Sequence, residues 1–86
     1  MPEIARFFGI VVQMYYDDHN PPHLHAEFQG CKALVDFRGN VIRGDLSSRT
    51  ALRLLREWID LHSSELAADW ELAGSGKVIK KIEPLI

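Results

Sequence analysis

The chain has 86 residues, 47% of them hydrophobic and 26% charged, and a formal net charge of −2. Those proportions exclude a disordered chain, and so small a net charge excludes a global field that would draw it to nucleic acid. The length fits one domain, residues 1–86, near the lower limit of what folds without staples.

Cys31 is the sole cysteine, so no internal disulfide forms. The first sixteen residues place Glu3 ahead of Arg6 and hold a short apolar run with no small-residue cleavage site. That is neither a secretory signal nor a bilayer span, so a cytoplasmic, reduced protein with no membrane partner is expected. Charge is blocked along the chain. Residues 38–56 carry five arginines and one acid, and residues 57–74 carry five acids and no base. Such blocks serve partner choice or neutralise one another in space.

Residues 7–16 are apolar, β-branched or aromatic apart from one Gly and one Gln. The two-residue period predicts one strand with Phe8, Ile10, Val12, Met14 and Tyr16 on a common face. Residues 17–22 (DDHNPP) are turn chemistry. Leu24, Ala26 and Phe28 then alternate with His25, Glu27 and Gln29, a half-buried strand. Gln29-Gly30 makes a tight hairpin turn. Ala33, Val35 and Phe37 form the inner face of the next strand. Arg38-Gly39-Asn40 turns the chain again, and Val41-Ile42-Arg43 begins a short fourth strand.

At Ser47 or Ser48, the expected N-cap, the period changes to 3.6. Ala51, Leu54, Leu55, Trp58 and His62 fall on one helical stripe, widened by Leu52 and Ile59. Residues 62–64 end this helix, and Ser63 or Ser64 recaps a second one reaching about Ala73 before Gly74-Ser75-Gly76. Val78, Ile79 and Ile82 are expected to add a short edge strand. The fold class is α+β: a three- to four-stranded antiparallel meander followed by two helices packed on one face.

The most informative segment is the turn holding His19, His23 and His25. A strand starting near His23 points His23, His25 and Glu27 to one side, and Pro21 and Pro22 stiffen the entry and hold His19 near them. Three readings stand. Imidazoles beside an Asp or Glu suit zinc or another divalent transition ion, with His19, His23 and His25 as ligands. The catalytic reading uses His19, His23, His25 and Glu27 as an acid/base set near neutral pH. The structural reading has the rings bonded to loop backbone and packed on Tyr15 or Tyr16.

Arg49, Arg53 and Arg56 recur at four and three residues and share a helical face suited to phosphate, with Arg38 and Arg43 placed to join them. Strand aromatics such as Phe7, Phe8, Tyr15 and Tyr16 are expected in the core, as are Trp58 and Trp70. Cys31 lacks an adjacent base and is not expected to be a nucleophile. His62 is expected to meet backbone carbonyls at its helix end. Pro2 would be a nucleophilic amine only with Met1 removed.

The segments IARFFG (residues 4–9), MYYDDHNPPHLHAE (14–27), ALRLLREWIDLH (51–62), WEL (70–72) and KIEPL (81–85) resemble the bacterial domain-of-unknown-function family 4160. The resemblance runs nearly end to end and implies no assigned activity or catalytic residue. It implies small cytosolic proteins, often encoded beside a small protein of unknown-function family 2442, a pairing similar to toxin–antitoxin or mobile-element modules. A two-protein module component that contacts this neighbour, and nucleic acid through the arginine face, is therefore the leading expectation; a further copy of the chain is a third partner. The alternative is a small His-dependent ribonuclease or phosphodiesterase, or the same histidines used as a zinc-binding enzyme. Residue types alone leave enzyme and binding module both open.

Overall fold

The protein is described by a computed structural model over residues 3–16 and 18–85. Asp17, where the expected turn begins, and the Pro2 amine lie outside the described residues. Five strands pair antiparallel in chain order: β1 (Glu3–Phe7), β2 (Ile10–Gln13), β3 (His23–Phe28), β4 (Cys31–Asp36) and β5 (Val41–Gly44). Helices α1 (Arg49–Leu61) and α2 (Ser63–Gly74) follow. The α+β class stands, with one strand more than the upper count expected.

The single strand expected over residues 7–16 is broken by a turn at residues 8–9: β2 follows the turn, and residues 3–7 pair back on it as the extra strand β1. Phe8 (φ 50°) and Gly9 (φ 80°) are both left-handed. That is the two-residue turn whose twist matches a β-hairpin. Phe8 therefore leaves the expected face and is 55% exposed, while Ile10, Val12 and Met14 are fully buried. Gln29-Gly30 makes the same kind of turn between β3 and β4, as expected.

One face of the sheet supplies Ile10, Val12, Leu24, Ala26, Ala33 and Val35 to the core, where α1 adds Ala51, Leu55, Trp58 and Ile59. Burial of each large apolar side chain contributes about 1.5–3 kcal/mol. Ser48 is the N-cap: its hydroxyl accepts from the Ala51 N–H at 3.0 Å. The helices join at His62, which carries no side-chain cap for α2, so neither Ser63 nor Ser64 recaps it; Ser63 is already helical. The His62 ring meets the Glu65 carboxylate at 2.6 Å rather than backbone carbonyls.

No strand forms after α2 among the described residues. Ile79 and Ile82 are both buried, and their spacing of three cannot put both on one face of a two-residue period. They pack instead as an irregular segment. It is held by the Ile82 N–H on the Ile4 carbonyl at 2.8 Å. The Trp58 indole N–H on the Glu83 carbonyl at 2.7 Å adds a second anchor. The opposite sheet face, with Val11, Gln13, His25, Glu27, Lys32, Leu34 and Arg43, keeps solvent contact throughout. No helix among the described residues is long and apolar enough to cross a membrane.

Candidate metal centre

β3 starts at His23, and the Asn20-Pro21-Pro22 turn before it folds back so that Asp18 reaches the strand. One donor atom from each of Asp18, His23 and His25 lies within 4.8 Å of the other two. Asp18 Oδ2 is 2.9 Å from His23 Nε2 and 3.0 Å from His25 Nε2. The His25 contact is a hydrogen bond, and the His23 contact is one of proximity. Asp18 Oδ1 accepts the His19 N–H at 3.0 Å, which fixes the carboxylate.

Both rings are held from behind. His23 Nδ1–H donates to the Pro21 carbonyl at 2.7 Å. That bond dictates the tautomer and leaves Nε2 as the free nitrogen of a neutral ring. Trp70 of α2 lies 5.4 Å from the His23 ring, centroid to centroid, and His23 is only 7% exposed. Tyr15 stacks on His25. Burial works to raise the Asp18 carboxyl. The His25 hydrogen bond, the His19 N–H and the charge of the two imidazoles outweigh it, and hold Asp18 below the usual carboxylate range.

Of the residues singled out in sequence, His23 and His25 come together and His19 does not. The His19 side chain is exposed, and Asp18 supplies the third donor. Glu27 shares the face of His25 but lies outside the group. The arginines divide as well. Arg56 Nε donates to the Gly39 carbonyl at 2.8 Å, so it holds the β4–β5 turn. Arg49 and Arg53 are exposed and form no ion pair among the described residues. Arg43 lies on the open sheet face, away from α1.

The role of Asp18 was signalled only by its place beside the histidines. A family model described as Domain of unknown function (DUF4160) matches residues 9–71, more than two thirds of the chain. The chain belongs to the DUF4160 family. The DUF4160 match runs from the β1–β2 turn into α2 and includes all three converging side chains. No curated protein and no solved structure matches the chain.

Proposed function

We propose that this DUF4160 chain is a metal-dependent hydrolytic enzyme whose ion, zinc by its donor set, sits on Asp18, His23 and His25. The observation that carries the reading is the His23 Nδ1–H bond to the Pro21 carbonyl. With that nitrogen committed, a neutral His23 presents a bare Nε2 to a carboxylate oxygen 2.9 Å away. Two acceptors that close repel unless a proton or a metal cation lies between them. An imidazole whose other nitrogen is tied to a carbonyl is the usual dress of a metal ligand.

Contacts of 2.9 and 3.0 Å are slightly shorter than the spacing of donors around one zinc. Small side-chain rotations bring all three to about 2.0–2.1 Å from an ion. Three protein donors leave a position for water, which zinc acidifies to a hydroxide near neutral pH.

Zinc titration of untagged protein tests the reading. One equivalent per chain is expected, lost in His23→Ala and in Asp18→Asn while the circular dichroism spectrum is kept. Folded protein that takes up no zinc, or binds it equally without His23, overturns it.

The His25–Asp18 hydrogen bond favours a second use of the same atoms, in which a proton takes the ion's place and the imidazoles act as acid and base. Hydrolysis that survives chelation and disappears in His25→Ala would select it. A role as one half of a two-protein module draws support from β5, an edge strand that exposes Val41 and Ile42. Co-purification with the adjacently encoded protein, abolished by Ile42→Pro, is its test. A half-buried Cys31 with no disulfide partner supports a reducing, cytoplasmic setting for any of these roles.

A further inference from the structure

We infer that the open sheet face beside the metal centre is a subsite for a phosphoryl group, held by Arg43 and Lys32 against the ion. The inference rests on the metal reading above and names the class of substrate. Pairing across four strands puts Gln13, His25, Leu34 and Arg43 in one row. Glu27 and Lys32 form the adjoining row. Between them lies a groove of about 150 Å³, with Tyr15 and His25 on its wall. His25 therefore belongs to both the metal centre and the groove.

Arg43 is turned into the groove by a backbone irregularity. Val35 pairs with Val41 while the next β4 residue, Leu34, pairs with Arg43. Ile42 is thus an extra residue in β5. In an unbroken ladder Arg43 would share a face with Val41, the partner of core residue Val35. The inserted residue sends Arg43 to the other face, which is what a β-bulge does to a side chain. Gly44 keeps β5 seated there, because a Cβ on it would collide with the Lys32 carbonyl oxygen.

Strands are spaced about 4.8 Å apart, so the backbones of Arg43 and His25 stand roughly 10 Å apart, a gap that an arginine side chain and one phosphoryl group fill. Neither Lys32 nor Arg43 forms an ion pair among the described residues. Glu27 is the groove's carboxylate. It stands opposite Lys32 and also feels the charge of Arg6, which lies across Val11 from it and pairs with Glu3.

An arginine and a lysine lining one groove, with the metal-ligating His25 on its wall, suit a tetrahedral anion, whose oxygens can meet an arginine fork, a lysine and an ion together. A carboxylate has two oxygens in one plane and can meet fewer. This places anion recognition at Arg43 and Lys32 rather than on the Arg49/Arg53 face of α1.

The test is binding of methyl phosphate, dimethyl phosphate, a short single-stranded RNA and acetate to the intact protein, with and without zinc, by calorimetry. Zinc-loaded protein is expected to bind the phosphates and not acetate. RNA tighter than dimethyl phosphate assigns the group to nucleic acid, and equal affinities assign it to small esters. Arg43→Gln should weaken phosphate binding roughly tenfold or more, the size of a lost charge-assisted hydrogen bond. Zinc affinity and the fold should be unchanged, and Arg49→Gln/Arg53→Gln should bind as the parent does.

Phosphate affinity unaffected by Arg43→Gln, or acetate bound as well as phosphate, overturns the inference. Normal zinc uptake with no phosphate binding overturns it while sparing the metal centre. Phosphate binding that depends on Arg43 in protein that takes up no zinc overturns the metal centre and keeps the subsite.

Discussion

The Tyr15 ring lies flat against His25, with centroids 4.0 Å apart and planes 13° from parallel. Stacking leaves the imidazole one soft torsion fewer and keeps Nε2 directed at Asp18. Tyr15→Ala should therefore weaken zinc binding by about tenfold, the lower end of what loss of a supporting neighbour does to a metal ligand. Tyr15→Phe keeps the stack and should bind as the parent does. A competition titration with a chromogenic chelator measures both, and equal loss in the two variants would contradict a stacking role.

Asp69 is 2% exposed, with Oδ1 accepting the Lys80 N–H at 3.0 Å and Oδ2 without a partner among the described residues. Burial pushes its carboxyl up and nearby Glu65 adds to this, against the Lys80 N–H and charge. A raised acid binds its proton more tightly folded than unfolded. Stability is therefore greatest below the ordinary carboxylate range and falls as pH rises to the raised value. Asp69→Asn removes that fall. Urea midpoints between acid and neutral pH should show Asp69→Asn gaining on the parent as pH rises. Parallel curves would count against the assignment.

Phe8 holds a left-handed backbone at φ 50° while its ring is 55% exposed. It bears the steric cost of that conformation with little burial in return. Asn tolerates the conformation and is favoured at this turn position. Phe8→Asn should stabilise the protein by about 1 kcal/mol, the lower end of the cost of a left-handed residue, raising the thermal midpoint by several degrees. A lower midpoint would mean that the ring contributes more than its exposure suggests.

Phe8 also marks where sequence reading stopped short. An aromatic beside a lone Gly inside an apolar run looks like strand, and nothing local distinguishes a turn at residues 8–9 from a continuous strand. Where local chemistry decides, the reading was good. Gln29-Gly30 turns, Ser48 of the two candidate serines caps α1, and Ala51, Leu55 and Trp58 of the expected stripe face the core with Ile59 from its border, while Leu52, Leu54 and His62 are half-buried. The histidine pair followed from the alternation of β3. Asp18 in place of His19 did not, because the path of a proline turn decides which neighbour folds back. The direction of Arg43 was hidden for a related reason: one extra residue in β5 reverses every side chain beyond it.

Arg56 lies over Gly39, with its Nε on the Gly39 carbonyl. From the strand side, Asp36 Oδ1 accepts the N–H groups of Arg38 and Asn40 at 2.8 and 2.9 Å. The β4–β5 turn is thus clamped twice. Arg56→Ala should cost about 1.5 kcal/mol, the lower end of the range for a hydrogen bond involving a charged group. Arg49→Ala, on the same helix but free of such a contact, should stay within about 0.5 kcal/mol. Chemical denaturation compares them, and equal losses would remove the clamp.

The two borders of the sheet are not alike. The outer side of β1 already receives a hydrogen bond from Ile82, while β5 has no neighbour beyond it among the described residues. Two molecules that met strand to strand would do so β5 to β5, and each would then have spent its one open border. Association by that route would stop at a pair instead of growing into a fibre, because the segment that braces β1 also occupies the other border.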